Sequence, residues 1–294
     1  MKKISTEDLK KLIQFQTFEI TEHYFYKELS KRVKGKNRGV LEKISLDELR
    51  HHNIIKSFTN LEVKENKFFI FKNLILTKIF GLTFAIKLME NGEERAQKNY
   101  ESLINNLEEN EKEIFKKILS DENNHENELL DLLDEEKVNF IGSIVLGIND
   151  ALIELTGALA GLTFTLKNSP LIFVVGFITG FAASLSMASS EYLSKKAEKD
   201  ESALKASIYT GITYIITVIF LIYPYLIFKN YSFAFILTLT MALIVIFITS
   251  FFISTVKDMP FKNRFIEMAF LSLGIAFVSF IFGYLLRILF KVEV

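Results

Sequence analysis

The chain has 294 residues, equal numbers of acidic and basic residues, and no cysteine. The lack of cysteine excludes disulfides, thiol catalysis, iron–sulfur clusters and thiolate-bound zinc. No basic patch with interleaved aromatic residues occurs, which argues against a nucleic-acid partner. The neutral total hides two unlike parts, because residues 1–137 hold 24 of the 35 basic and 26 of the 35 acidic residues. We therefore predict a charged N-terminal domain at 1–137 and an apolar domain at 138–294.

The first part has the residue pattern of helices throughout. Ser5 or Thr6 is a suitable cap for the first helix, and Ser45 for the second. The predicted helices cover about 6–33, 45–60, 74–107 and 111–136. Two helices, a longer crossover at 61–73 and two further helices is the connectivity of ferritin-like bundles. The apolar stretch 68–89 contains three lysines, so we assign it to the crossover and a core-facing helix rather than to a membrane span.

An internal repeat with a shift of 74 residues is the strongest signal in this part. A Glu-x-x-His motif occurs twice, and each copy follows a further glutamate by 29 residues. The repeated positions are Glu19 and Glu93, Asp47 and Asp121, Glu48 and Glu122, His51 and His125, and Tyr26 and Tyr100.

The repeated residue types suit a pair of metal ions. Residues i and i+3 share a helix face, so each Glu-x-x-His motif can hold one ion. Two further glutamates can bridge or chelate the pair, and imidazole with carboxylate suits iron or manganese. We predict a centre for two Fe2+ or Mn2+ ions, with Glu90 as an extra or switching ligand. The predicted ligands are Glu19, Glu48, His51, Glu90, Glu93, Glu122 and His125.

Other interpretations remain for several of these residues. Lone Glu-x-x-His motifs are common on surface helices, although two at matched spacing in a chain with four histidines favour metal binding. His23 and His52 have no counterpart in the repeat, and we interpret them as surface histidines or outer neighbours of the site.

Residues 5–136 resemble the rubrerythrin branch of the ferritin-like superfamily. The resemblance implies a four-helix bundle with the six repeated ligands and a di-iron centre. Rubrerythrins usually also carry a rubredoxin module with four cysteines, which this chain lacks. The resemblance therefore favours metal binding or oxidation, including ferroxidase activity, over peroxidase turnover.

Five apolar stretches follow, and each is long enough to cross a bilayer. They cover about 140–166, 171–190, 208–228, 233–256 and 265–290. The connections 195–205 and 257–264 are richer in Lys and Arg than those on the other side, so they should face the cytosol. We predict an integral protein of the cell membrane with its N-terminal domain in the cytosol. The fold class is all-α, a ferritin-like four-helix bundle plus five transmembrane helices.

The apolar part contains acids at positions that lipid disfavours. Asp150 and Glu154 lie four residues apart on one face of the first span. A carboxylate in the bilayer costs at least ~2.5–3.5 kcal/mol, which favours an ion or proton path over a pair that reaches surface water. Met187 and Glu191 have the same spacing in the second span. A thioether beside a carboxylate suits a transition ion, but Met187 could instead be packing and Glu191 could pair with Lys195.

These motifs resemble the vacuolar iron transporter family. The resemblance rests on Gly-x-Asn-Asp in the first span, Ser-Met-Ala-x-x-Glu-Tyr-Leu-Ser in the second, and the five-span count. It implies that Asp150 and Met187 line a metal path. It also implies a homodimer that moves Fe2+, often Mn2+, out of the cytosol in exchange for protons. The family's helical metal-binding insert is missing here, so the N-terminal domain would take over metal capture.

The combined prediction is a membrane transporter for divalent transition-metal ions, with Asp150, Glu154, Met187 and Glu191 along its path. Two alternatives stay open. The chain could be a membrane-tethered di-iron oxidase or peroxidase whose spans serve as an anchor. It could also be a transporter whose N-terminal domain is a metal sensor that gates the pore.

Overall fold

A computed structural model describes residues 6–89, 109–130, 135–257 and 259–290. The described residues form α-helices and connections, with no strand among them, which confirms the all-α prediction. The chain divides into two compact units, Met1–Asp134 and Glu135–Val294. We call them the soluble unit and the membrane unit.

The soluble unit is built on an antiparallel helix pair. Helix α1 is Thr6–Ser30 and helix α2 is Lys36–Thr59. Two buried imidazoles join the pair, since the Nδ1 of His23 lies 2.6 Å from the carbonyl of Ser45 and the Nδ1 of His52 lies 2.9 Å from that of Gln16. His23 in the second half of α1 thus contacts Ser45 in the first half of α2, and Gln16 in the first half of α1 contacts His52 in the second half of α2. This order of contacts is that of an antiparallel pair.

Helix α2 begins nine residues earlier than predicted. Ser45 does not cap it but lies buried inside it, where its hydroxyl donates to the backbone oxygen of His23 at 3.0 Å. Leu41 and Ile44, upstream of Ser45, are fully buried. The helix extends over them because burial of these side chains outweighs the low helix propensity of Gly39.

The crossover is itself helical, which corrects the predicted connection at 61–73. Helix α3 is Lys67–Phe80, and Asn66 caps it by accepting a hydrogen bond from the Phe69 amide at 3.0 Å. Gly81 adopts φ +89° and ends the helix. A further helix, α4, follows over 82–89, so the predicted single helix over 74–107 is broken in its first part.

The other helix of this unit in the described residues is α5, Glu109–Leu130. Apolar side chains of α1 and α2 form two buried clusters, one completed by α3, α4 and α5 and the other by α5. The faces of α1, α2 and α5 that carry the predicted ligands are therefore held by packing on both sides.

The membrane unit contains five helices in the described residues. They are α6 (Glu135–Leu166), α7 (Ser169–Ala197), α8 (Ala203–Ile227), α9 (Tyr231–Val256) and α10 (Phe261–Phe290). All five contain segments long and apolar enough to cross a membrane. This confirms the five-helix membrane domain and makes the chain an integral membrane protein.

Helix α6 is central to the membrane unit, because it packs against each of the other four described helices. Its approach to α10 depends on glycine. A Cβ at Gly283 would lie 2.6 Å from the backbone oxygen of Gly161, a distance that real side chains do not adopt. Glycine at these two positions thus lets α6 and α10 pack closely.

Candidate metal centre and membrane path

The candidate metal centre lies between α1, α2 and α5. The described residues place five of the predicted ligands together, all of them buried, namely Glu19, Glu48, His51, Glu122 and His125. Ligand atoms of Glu19, Glu48, His51 and Glu122 all lie within 4.8 Å of one another. Glu90 and Glu93 fall outside the described residues.

Glu48 and Glu122 occupy equivalent positions between the two imidazoles. The Nδ1 of His51 lies 3.5 Å from one oxygen of Glu48 and 2.8 Å from one oxygen of Glu122. The Nδ1 of His125 lies 3.1 Å and 3.6 Å from the other oxygen of each carboxylate. Each carboxylate therefore directs one oxygen toward each histidine, which is the arrangement required of a bridging ligand. Glu19 adds a carboxylate 3.6 Å from the Nδ1 of His51.

The outer nitrogens of the two imidazoles are paired crosswise. The Nε2 of His51 in α2 lies 3.4 Å from Asp121 in α5, and the Nε2 of His125 in α5 lies 3.2 Å from Asp47 in α2. Arg50 joins the two aspartates, at 2.9 Å from Asp47 and 2.8 Å from Asp121. This pairing directs both Nδ1 atoms to the interior. It also gives a structural role to the aspartates of the repeat.

Burial and charge act against each other in this cluster. Burial lowers the pKa of His125, but the carboxylates of Glu122 and Glu48 outweigh it and raise that pKa to about 11. Burial also lowers the pKa of His51, but the carboxylates of Glu122, Glu19 and Glu48 outweigh it and raise that pKa. Burial, together with the charge of Glu122, raises the pKa of Glu48 well above its usual range. The surrounding carboxylates thus favour the charged form of both imidazoles.

The donor set fits a pair of divalent transition ions. Both Nδ1 atoms, both oxygens of Glu48 and one oxygen of Glu122 are buried. They lie close to one another, but none makes a hydrogen bond of good geometry among the described residues. Buried polar atoms of this kind are rare unless a ligand or water satisfies them. Imidazole nitrogen with carboxylate oxygen suits iron, manganese or zinc better than calcium or magnesium. We therefore describe the cluster as a metal-binding site without assigning the ion.

Some residues near the centre were not predicted or were interpreted wrongly. Glu22, one turn after Glu19, is 1% exposed and was not singled out, although its i+3 spacing from a ligand was a usable signal. His23 and His52 are each 5% exposed, so the surface interpretation is wrong for both. Their contacts are with backbone carbonyls, a partner type that residue patterns do not reveal.

The membrane unit presents its acid pair on α6. Asp150 is partly buried, and Glu154 lies exposed at the surface of the unit. The hydroxyl of Tyr214 in α8 donates a hydrogen bond to Glu154 at 2.8 Å. Tyr214 is fully buried and had no motif to distinguish it from the apolar residues around it.

Glu191, the acid that the second span contributes to the predicted path, has its own hydroxyl partner. The hydroxyl of Ser143 in α6 donates to Glu191 in α7 at 2.7 Å. Lys195 pairs with Glu198 at 3.5 Å and with Asp200 at 3.7 Å. Met187 is partly buried and packs against the apolar core of the unit. The structure thus joins Glu191 to α6 by a hydrogen bond.

Further polar side chains lie buried around α6. The side-chain oxygens of Asn149 and Thr156 in α6 and of Ser250 and Ser254 in α9 have no hydrogen-bond partner among the described residues. Asn149 belongs to the Gly-x-Asn-Asp motif. Unpaired polar atoms inside an apolar unit need water or an ion for compensation.

Comparison with known families assigns each unit separately. Residues 16–133 match the Rubrerythrin family model, and residues 141–204 match the model of the VIT family, the family of iron and manganese transporters. The second match contains both acid-bearing segments of the predicted path, and α8 to α10 lie almost wholly beyond it. Comparison with curated proteins gives no significant match.

Proposed function

We propose that this chain, in which an N-terminal rubrerythrin-type ferritin-like domain is joined to a C-terminal VIT-family membrane domain, transports Fe2+, and also Mn2+, out of the cytosol. The observation that carries the proposal is the acid pair Asp150 and Glu154 on the central helix of the membrane unit. Two carboxylates on one helix face would cost at least ~2.5–3.5 kcal/mol each in lipid, so they require a cation, a proton or water beside them. A membrane anchor has no use for them.

In this proposal four side chains make up the path. Asp150 and Glu154 bind the ion within the span, Met187 offers a soft sulfur, and Glu191 receives the ion at the cytosolic end. The hydrogen bonds from Tyr214 and Ser143 support the assignment, because each orients a carboxylate without neutralising it. An oriented carboxylate can bind and release a cation without first breaking an ion pair.

A second copy of the chain would complete the path. Glu154 is exposed on a single membrane unit, where lipid would otherwise contact it. In a homodimer whose α6 helices face each other, the acids of both protomers would line a common polar route. Homodimer formation therefore follows from the same energetic argument that assigns the acids to transport.

Protons are the proposed counter-ions. A carboxylate that releases a divalent cation regains a single charge that the bilayer still disfavours, and protonation removes that charge. Exchange of metal for protons would thus leave no uncompensated carboxylate charge in the path, either while the cation is bound or after its release. The soluble unit, which we place in the cytosol, would collect ions at its Glu/His cluster before transport.

Metal flux in proteoliposomes under an imposed pH gradient tests the proposal. We expect gradient-driven uptake of Fe2+ and Mn2+ by the unchanged protein, and loss of at least about 90% of it in Asp150→Asn, since one carboxylate is worth several kcal/mol to a bound cation. Glu198→Gln, which removes an exposed loop acid that pairs with Lys195, is the matched control and should retain flux. Absence of flux for both ions would refute the proposal.

A membrane-tethered di-metal oxidase is the second candidate. It is favoured by the enclosed cluster in which Glu48 and Glu122 each face both histidines. Oxidation of Fe2+ by dioxygen in stoichiometric amounts, with no flux of either ion, would support this candidate instead.

A further inference from the structure

Helix α3 carries an exposed apolar stripe on the soluble unit. Consecutive residues of a helix are about 100° apart, so the stripe's four side chains fall within an arc of about 80°. They are Phe71, Ile75, Phe68 and Ile79, with exposures of 64%, 42%, 75% and 66%. Scattered apolar side chains are ordinary on a surface, but four large ones on one helix face form a contiguous patch that requires explanation.

Lysines border the stripe on both sides. Lys67 and Lys78 lie along one edge and Lys72 along the other, all exposed. Helix α3 contains no acidic residue. Among the described residues, the Lys67 ammonium pairs with Glu65 before the helix at 3.7 Å, and the Lys67 side chain remains 84% exposed. The face is therefore apolar along its centre and positive at both edges.

The rest of the helix is fixed to the bundle. Asn73 and Leu74, outside the stripe, are buried, and Arg32 of α1 donates a hydrogen bond to the Leu74 carbonyl at 3.2 Å. Asn66 caps the first turn. The helix is thus already folded and oriented, so its apolar stripe cannot turn inward to hide from water.

This pattern matches a helix that lies in the interface of a bilayer. Such helices insert an apolar stripe among the acyl chains while lysines at its edges extend to the phosphates. The lysines on both edges, of which Lys67 alone pairs with a carboxylate among the described residues, favour anionic lipid. Each of them contributes appreciably to binding such a surface. A docking face for a second copy of the protein would instead be depleted of lysine, which protein–protein interfaces disfavour.

The membrane-spanning part of the chain keeps the soluble unit close to a lipid surface. It carries five helices able to cross a bilayer, and the bundle is covalently joined to them. The lipid surface is therefore present at a high effective concentration, and modest affinity is enough for docking. We propose that the stripe of α3 docks the soluble unit onto the anionic lipid surface of the membrane that the chain spans. This inference requires membrane insertion and does not depend on transport.

Tryptophan fluorescence of the full chain tests the proposal, because the protein has no tryptophan. Phe71→Trp places a single probe on the stripe. Leu46→Trp is the matched control, since Leu46 on α2 has the same 64% exposure. Both variants are reconstituted in bilayer discs that contain phosphatidylglycerol and phosphatidylcholine brominated near the headgroup. Bromine quenches tryptophan on contact, so quenching reports immersion in lipid.

We expect a blue-shifted emission for Phe71→Trp and at least about threefold stronger bromine quenching than for Leu46→Trp, since the stripe enters the headgroup region. Replacing Lys67, Lys72 and Lys78 with glutamine should weaken docking by about fivefold per lysine and so reduce the quenching. High salt should have the same effect. Ile79→Trp provides a second probe on the stripe if Phe71→Trp does not fold.

Two results would overturn the proposal. Equal quenching of the stripe and control probes, both with the emission of water-exposed tryptophan, would leave the face in solvent. A blue shift without bromine quenching would show that protein covers the stripe, either a second copy or another part of the chain.

Discussion

At the scale of single residues, protons and metal ions compete for the imidazoles of the soluble unit. The carboxylates around His51 and His125 raise both pKa values against the effect of burial, that of His125 to about 11. A raised pKa means that the charged imidazole stabilises the metal-free fold below the ordinary value near 6.5. This stabilisation is lost as pH rises through the folded value. A metal ion can bind the Nδ1 atoms only after their protons leave.

We therefore expect the affinity for divalent metal to rise with pH. Between pH 6 and 8 the association constant should increase up to about tenfold per pH unit for each proton released. Calorimetric titration of the metal-free protein with Mn2+, repeated in buffers of different ionisation enthalpy, measures both the affinity and the protons released. An affinity that does not change over this range would show that the imidazoles already lack these protons.

A second expectation concerns the tyrosine beside the acid pair. Tyr214→Phe removes the hydroxyl that orients Glu154 and changes nothing else in the side chain. A hydrogen bond to a charged group is worth about 1.5–3 kcal/mol, so we expect maximal metal flux to fall by about tenfold or more. The same assay on Tyr223→Phe, an exposed tyrosine of the same helix, is the control and should show normal flux. Equal flux in both variants would remove Tyr214 from the path.

At the scale of helices, the membrane unit depends on the contact of α6 with α10. Gly283 allows this contact because the backbone of Gly161 occupies the space of a side chain. The hydroxyl of Thr165 also donates to the Gly283 carbonyl at 3.1 Å, across the same interface. The acid pair lies on α6, so a shift of α6 would move both carboxylates.

Gly283→Ala should therefore destabilise the membrane unit. The added methyl group would force the helices apart at a cost of about 1–3 kcal/mol, as overpacking does elsewhere. Gly274→Ala on the same helix meets nothing within 4 Å and should be neutral, or stabilising by about 0.5–1 kcal/mol through helix propensity. Thermal unfolding in detergent compares the two. Similar melting temperatures would mean that α10 can move away without loss.

At the scale of the whole molecule, the question is what one unit does for the other. If the soluble unit collects ions for the path, its cluster matters when metal is scarce. If it is a sensor that gates the path, the loss of the cluster should change flux at every concentration. The two versions of transport thus differ in how flux depends on metal concentration.

Combining Glu48→Ala with His51→Ala disables the cluster in the full chain. For a collector, we expect flux at saturating metal to stay within about twofold of normal and to fall several-fold at low metal, because local capture raises the effective concentration. Flux assays over a range of Fe2+ concentrations measure this. Faster flux at all concentrations would indicate a gate instead, and unchanged flux throughout would separate the cluster from transport.

Much of the candidate metal centre could be predicted, because its ligands are repeated in the sequence. The helix period places Glu48 with His51 and Glu122 with His125 without reference to any fold. The pairing of Asp47 with His125 across two helices could not be predicted, since it depends on how α2 meets α5. Burial of His23 likewise depends on its carbonyl partner in the neighbouring helix.

By itself, the sequence determined the all-α class, the five membrane helices and the acids on the first of them. These features follow from local rules, namely helical periodicity, span length and the cost of charge in lipid. The tertiary structure alone decided that Glu48 and Glu122 bridge the histidines, that Tyr214 meets Glu154, and that α3 turns its apolar stripe outward. Each of these depends on contacts between residues far apart in the chain, for which periodicity carries no information.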